Sequence, residues 1–152
     1  MHAWRIAKKI HALDRQGTGA RLAGGRWNSL GVPCIYAGLT PEIAAMEMLV
    51  HTGNFLPKDL VLALCSLPDE GKLYRRCAVQ NLPVGWDALP SSTEAVAFGD
   101  EFLLARSHLG MIVPSAVMPE AFNIIVNPAH PAFASVAIEI VRPFEFDSRL
   151  RI

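Results

Sequence analysis

Four side chains carry most of the chemistry this sequence offers: Arg26, Tyr36, Glu47 and Ser115. Arg26 stands in the run GGRWN, directly after Gly24 and Gly25. Paired glycines let a backbone turn tightly and approach a ligand closely. A guanidinium just beyond them offers a planar fork that matches phosphate oxygens. The same run also describes a surface arginine after a turn. It is no dinucleotide fingerprint, because Leu22 holds the third glycine position after Gly17 and Gly19. Glu47 is the more unusual residue. At ~100° per residue, Ile43, Met46, Glu47 and Val50 fall within about 100° of one another on a helix, so a carboxylate sits inside the apolar stripe. There it must be paired, hydrogen-bonded, protonated or at the edge of a cleft, since a bare buried charge is very costly. Such carboxylates are enriched at functional sites, and structural ion pairs also account for some.

Tyr36 closes an apolar strand. Its ring can pack with the hydroxyl at the rim, or stack on a flat heterocycle while the hydroxyl donates a hydrogen bond. Ser115 follows Val113-Pro114 at a strand end, where most serines satisfy a turn. No GxSxG surrounds it, and no sequence-local base marks it as a nucleophile. The histidines His2, His11, His51, His108 and His130 are dispersed, with no HExxH or His-x-His pattern, so no metal site is expected. Cys34, Cys65 and Cys77 are odd in number and lie in no CxxC spacing; they read as reduced, buried or semi-buried thiols.

The elements that must position these residues can be read from the apolar runs. A short strand is expected at 3–6, followed by a polar segment containing Gly17, Gly19, Gly24 and Gly25. A second strand is expected at 33–37 and a helix at 41–51, with Thr40 as N-cap, Pro41 at the first helical position and Gly53 as the stop. Glu42, in the first turn, suits the helix dipole and reads as structural. VLALCSL (61–67) reads as a buried strand, 82–92 as loop, and 94–108 as a second long helix stopped by Gly110. Strands at 111–115, 123–127 and 136–141 complete the set. Strands not regularly interleaved with helices indicate an α+β fold with a mixed or antiparallel sheet.

Length and composition bound the rest. The chain has 152 residues, which fits a single domain spanning 1–152. At that length a fold buries about 70% of the surface its unfolded chain exposes. Half the residues are hydrophobic (51%) and 18% are charged, which excludes disorder as the default. Fourteen basic and 14 acidic residues give a net charge of zero, which argues against direct nucleic-acid binding. The residues after Met1 (Trp4, Arg5, Lys8, Lys9, Asp14) form no apolar leader, and no apolar run approaches the ~20 residues that span a bilayer. A soluble, cytoplasmic protein with no membrane contact is expected.

Taken in order, the motifs resemble the RES domain, a family named for an arginine, a glutamate and a serine. The resemblance begins at Trp4-Arg5-Ile6 and runs through GTGARLAGGRWNSLGVPCIYAGLTPEIAAMEMLVH (17–51). It resumes in GDEFLLARSHLGMIVPSAVMPEAFNIIVNPAHPAF (99–133) and ends near Pro143–Asp147 with Arg149-Leu150. It implies a fold similar to ADP-ribosyltransferases and a toxin of a bacterial toxin–antitoxin pair that depletes NAD⁺, as glycohydrolase or phosphorylase. It implies that Arg26, Glu47 and Ser115 are catalytic, and that Arg5, Arg26, Tyr36 and Ser115 contact NAD⁺. NAD⁺ is then substrate, no cofactor is required, and the partner is an Xre-type helix-turn-helix antitoxin; a homodimer follows by family analogy. The alternatives are a protein ADP-ribosyltransferase and a non-catalytic partner-binding module with the same fold. The segment 68–94 carries no functional inference.

Overall fold

The apolar runs become the strands of one sheet in the structure, a computed structural model that describes residues 1–52 and 57–150. In chain order the strands are β1 (His2–Lys8), β2 (Ile35–Gly38), β3 (Leu60–Ser66), β4 (Tyr74–Arg76), β5 (Gly110–Pro114), β6 (Phe122–Val126) and β7 (Ala137–Phe144). Three α-helices accompany them: α1 (Thr18–Ala23), α2 (Pro41–His51) and α3 (Thr93–Ala105). The sheet order is β4-β5-β6-β2-β1-β3-β7, with β4–β5 parallel and the other pairs antiparallel. This is the α+β arrangement expected, with a mixed sheet.

Two regions depart from the sequence reading. The glycine-bearing polar segment contains α1, which has no buried residue and so shows no apolar periodicity. The segment 68–94 contributes β4, a strand of three residues (YRR) too short and too basic to stand out. The end of α3 also differs. Arg106 adopts a left-handed conformation (φ 51°) and stops the helix at Ala105, whereas Gly110 opens β5. There a Cβ would meet the Ile124 side chain at 2.7 Å, so the missing side chain serves strand packing.

α2 forms where its caps require. The Thr40 hydroxyl accepts from the Ile43 N–H at 3.3 Å, Pro41 occupies the first turn, and the Thr52 hydroxyl donates to the Leu49 carbonyl at 2.9 Å. Gly53, the expected stop, lies outside the described residues. The packed face of α2 is rotated from the expected stripe. Ile43 and Ala44 are buried, Ala45 and Met48 pack with Trp4, Ile6 and Leu62, and Val50 is 51% exposed. Glu47 still falls on the packed side, between the buried Ile43 and Ala44 in angle.

The two sheet faces follow from the ladders, since cross-strand neighbours share a face. Trp4 opposes Leu64 and Gly38, Gly38 opposes Asn123, and Asn123 opposes Val113. These residues, with Tyr36, Met111 and Ile125, look toward α2 and a cluster formed by Trp27, Trp86, Phe102 and Leu103. The other face carries Ala3, Ile35, Ala37, Ile112, Ile124 and Val126, and is covered by Leu67, Leu109, Phe133 and Val136. Close approach is built in at two glycines. A Cβ on Gly38 would meet Ile43 Cγ2 at 2.6 Å, and one on Gly99 of α3 would lie 2.0 Å from the Trp27 carbonyl oxygen.

Gly99→Ala should therefore destabilise the fold by at least the ~1–3 kcal/mol typical of overpacking, because the obstacle is backbone. Gly19→Ala, on the exposed side of α1 with nothing within 4 Å of the new methyl, should gain about 0.5–1 kcal/mol from helix propensity. Denaturant unfolding of the two variants checks both signs; a stable Gly99→Ala protein would contradict the α3–Trp27 packing.

Candidate active site

Glu47 is the centre of a polar cluster built by three elements. Its side chain, 26% exposed, projects from α2 toward the ends of β5 and β6. Ser115, immediately after β5, donates its hydroxyl to Glu47 Oε1 at 2.7 Å. Asn123 of β6 donates Nδ2 to the same oxygen at 2.5 Å. Oε2 faces His51, one helical turn along, whose Nε2 lies 3.9 Å away on a side chain that is 77% exposed. Such an exposed pair contributes little. The two bonds to Oε1 are charge-assisted and are the main compensation for placing a carboxylate on a packed helix face.

Ser115 is fully buried. Besides donating to Glu47, its oxygen accepts from the Val117 and Met118 N–H groups at 3.0 and 3.2 Å. A hydroxyl has one donor and two acceptor lone pairs, so all its capacity is used. The turn after β5 thus fixes the serine, and the serine fixes the carboxylate.

Tyr36 and Arg26 belong to a neighbouring assembly on the same sheet face. The Tyr36 hydroxyl accepts from the Trp27 N–H at 3.0 Å and donates to Asn28 Oδ1 at 2.7 Å. Asn28 is buried and spans Ala20 and Val32 through Nδ2, at 2.8 and 2.9 Å from their carbonyls. Gly25 makes room for this, because a Cβ there would meet the Tyr36 hydroxyl at 2.7 Å. α3 clamps the loop from the other side: Asp100 Oδ1 accepts from the Ser29 N–H at 2.9 Å. Arg26 Nη1 donates to the Trp86 and Ala88 carbonyls at 2.7 and 2.8 Å, tying the proline-rich 82–92 loop to the site. Trp86 also stacks on Trp27, with ring centroids 6.5 Å apart.

The structure brings Glu47 and Ser115 into contact and places Tyr36 and Arg26 on the same side of the sheet. Arg5 makes no hydrogen bond to either group among the described residues: its Nη1 reaches the Asp14 carbonyl at 3.5 Å, and its charge acts on the buried thiols of Cys34, beside Tyr36, and Cys65. Asn123, Asn28 and His51 are site residues that the sequence reading missed. His51 could have been found from its four-residue spacing to Glu47 on one helix face. Asn123 needed the ladder register, since an asparagine heading NIIVN reads as the end of a strand. Among the described residues no group of three or more His, Cys, Asp or Glu could hold a metal ion. No described helix is long and apolar enough to cross a membrane.

Burial dominates the chemistry of the thiols here. It pushes Cys34 up from 9.0 to about 12, and raises Cys65 and Cys77 as well. Burial also raises Tyr36 strongly, so its phenol stays protonated and remains a donor to Asn28. A thiol raised in the folded state supports the fold fully below its unfolded value and loses that support as pH climbs to the folded one. Native stability should therefore decline from pH 9 toward pH 12, and Cys34→Ala should flatten that decline in unfolding experiments across alkaline pH. Tyr36→Phe leaves the Trp27 N–H and Asn28 Oδ1 unpaired and should cost about 1–3 kcal/mol, read by urea unfolding at neutral pH.

Comparison with known proteins places this geometry in a family. The RES domain family matches residues 2–147. A Toxin Res of Pseudomonas putida is 37% identical, with 99% of each chain covered. A "Prs ADP-ribosylating toxin" of Sphingobium sp. is 36% identical, covering 97% of this chain and 94% of that one. Among solved structures, a chain of the M. tuberculosis MbcT–MbcA toxin–antitoxin complex superposes with a TM-score of 0.68 at 18% identity. That match covers 98% of this chain and 85% of the other and speaks for the fold.

Proposed function

The chain belongs to the RES domain family, and from that premise we propose that it is the toxin of a toxin–antitoxin pair, an enzyme that breaks the nicotinamide–ribose bond of NAD⁺. The observation that carries the reading is the half-buried Glu47 carboxylate, held through Oε1 by Ser115 and Asn123, with Oε2 facing the exposed His51 at 3.9 Å.

The chemistry asks for little more. Cleavage sends the bonding pair of the ribose C1–nitrogen bond to the nicotinamide ring, which leaves as a neutral molecule and needs no general acid. The ribose gains oxocarbenium character, as in glycoside hydrolysis. A fixed carboxylate nearby stabilises that charge in the transition state more than in the ground state and accepts from the ribose hydroxyls. Water or inorganic phosphate then adds through oxygen to C1 and completes hydrolysis or phosphorolysis. An oxygen of water releases its proton to solvent. Tyr36, by its aromatic ring, and Arg26, by the guanidinium nitrogens not bound to Trp86 and Ala88, are the groups assigned to the dinucleotide. Arg5, whose charge already reaches Cys34 beside Tyr36, is assigned to the dinucleotide as well.

NAD⁺ enters as substrate and no cofactor is invoked. The partner assigned is an Xre-type helix-turn-helix antitoxin, and the cytoplasm, where NAD⁺ is abundant, is the compartment assigned. Relatives named Toxin Res and a structural neighbour solved as a toxin–antitoxin complex support this coarse assignment. The name of the Sphingobium relative favours a second reading, in which a protein side chain replaces water or phosphate as acceptor. Both readings share the first bond cleavage and differ only in what receives the ADP-ribose.

Purified protein, freed of any bound antitoxin, should liberate nicotinamide from NAD⁺, and Glu47→Gln should do so about 100- to 1,000-fold more slowly. Glutamine keeps an acceptor oxygen for Ser115 and Asn123 and removes only the charge. The second product names the acceptor: ADP-ribose for water, its phosphorylated form for phosphate, or ADP-ribose bound to protein. No nicotinamide release from wild type, with every acceptor supplied, would sink the enzymatic assignment.

A further inference from the structure

The two oxygens of Glu47 are not equivalent, and the asymmetry assigns a role to Asn123. Oε1 receives both strong donors, Ser115 at 2.7 Å and Asn123 at 2.5 Å. Among the described residues, Oε2 has only the long His51 approach at 3.9 Å. Ser115 is fully buried with its donor and both lone pairs committed, so it has nothing left to offer a substrate. Asn123 is only partly buried, and its position is set by two ladders at once, opposite Gly38 of β2 and Val113 of β5. Gly38 is the residue whose missing Cβ lets α2 settle against the sheet. The rung that admits the helix is therefore also the rung that supplies a donor to its carboxylate.

We propose that Asn123 is a positioning residue which, together with Ser115, locks Glu47 through Oε1 and so makes Oε2 the oxygen that works on the ribose. This deepens the NAD⁺-cleaving reading and rests on it for its kinetic consequences. With two donors on one oxygen the carboxylate cannot rotate its plane freely. Removing one leaves the ionised group less well held at the moment the ribose charge develops. The loss falls on kcat, because Asn123 reaches the substrate only through Glu47.

Asn123→Ala should lower kcat for nicotinamide release by about 10- to 100-fold, as expected for one lost hydrogen bond to a charged group. KM should stay within about threefold, and the thermal unfolding curve should remain cooperative. Asn123→Asp is the sharper variant. It keeps the shape but sets a second carboxylate against Oε1, and two carboxylates so close share a proton. At pH 8 it should be at least as impaired as Asn123→Ala. On acidification toward pH 5 the shared proton restores a donor, and its activity relative to wild type at the same pH should recover. His51 also faces Glu47, so the ratio is taken with both proteins carrying His51→Gln, which leaves the new carboxylate pair as the difference between them. A merely structural asparagine would give no such recovery. Wild-type kcat in Asn123→Ala, or a ratio for Asn123→Asp that does not change with pH, overturns the proposal.

One measurement is independent of turnover. The carboxyl ¹³C resonance of Glu47, assigned by its disappearance in Glu47→Gln, should move in both Asn123→Ala and Ser115→Ala. If it moves in neither, the lock does not exist. If wild type leaves NAD⁺ intact, the proposed function fails, and the resonance still decides the lock.

Discussion

A carboxylate on the packed side of a helix is the constraint around which this chain is arranged. Left alone, Glu47 would either drag water into the α2–sheet interface or give up its charge. The fold answers with donors distant in sequence, Ser115 from the turn after β5 and Asn123 from β6, 68 and 76 residues away. Meeting that demand fixes several other features. β5 must end beside α2 so that the turn after Pro114 can deliver Ser115. β6 must run antiparallel to both β5 and β2, so that Asn123 lies beside Gly38. Position 38 must be glycine, or α2 would stand off the sheet and the bonds would lengthen beyond use.

A second polar assembly stands beside the first and is organised by different means. Here the centre is a neutral phenol. Tyr36 joins the Trp27 backbone to Asn28, and Asn28 in turn ties the start and end of the α1 segment. Trp27 is held between Trp86 and Phe98, and Gly99 admits its carbonyl against α3. Arg26 is carried by this scaffold and anchors the 82–92 loop through two backbone carbonyls. The arginine therefore has a wall-building role whatever else it binds. The two assemblies meet across β2, where Tyr36 and Gly38 share a face.

Much of this was legible in the sequence where local physics is strong. Thr40-Pro41 announced the start of α2, and the apolar runs announced all the strands except β4. The anomaly of Glu47 was visible because a helix has a fixed period. What escaped depends on tertiary placement. α1 buries nothing and so leaves no periodic trace. β4 exists because β5 lies beside it, not because YRR favours a strand. Arg106 ends α3 in a conformation uncommon outside glycine and asparagine, so the stop was sought at Gly110. Asn123 acquires meaning only from the register that opposes it to Gly38.

The long sequence separation between Glu47 and its partners has a consequence during synthesis. A ribosome adds roughly 5–20 residues per second, so about 4–15 s pass between the emergence of α2 and that of Asn123. For most of that interval the nascent chain carries its acidic group with neither donor made, since Ser115 comes only eight residues before Asn123. β2 likewise waits for β6, and pairings of such range form slowly. The Glu47 carboxylate is thus organised only once Asn123 has emerged, and a chain released before that point carries an unorganised one.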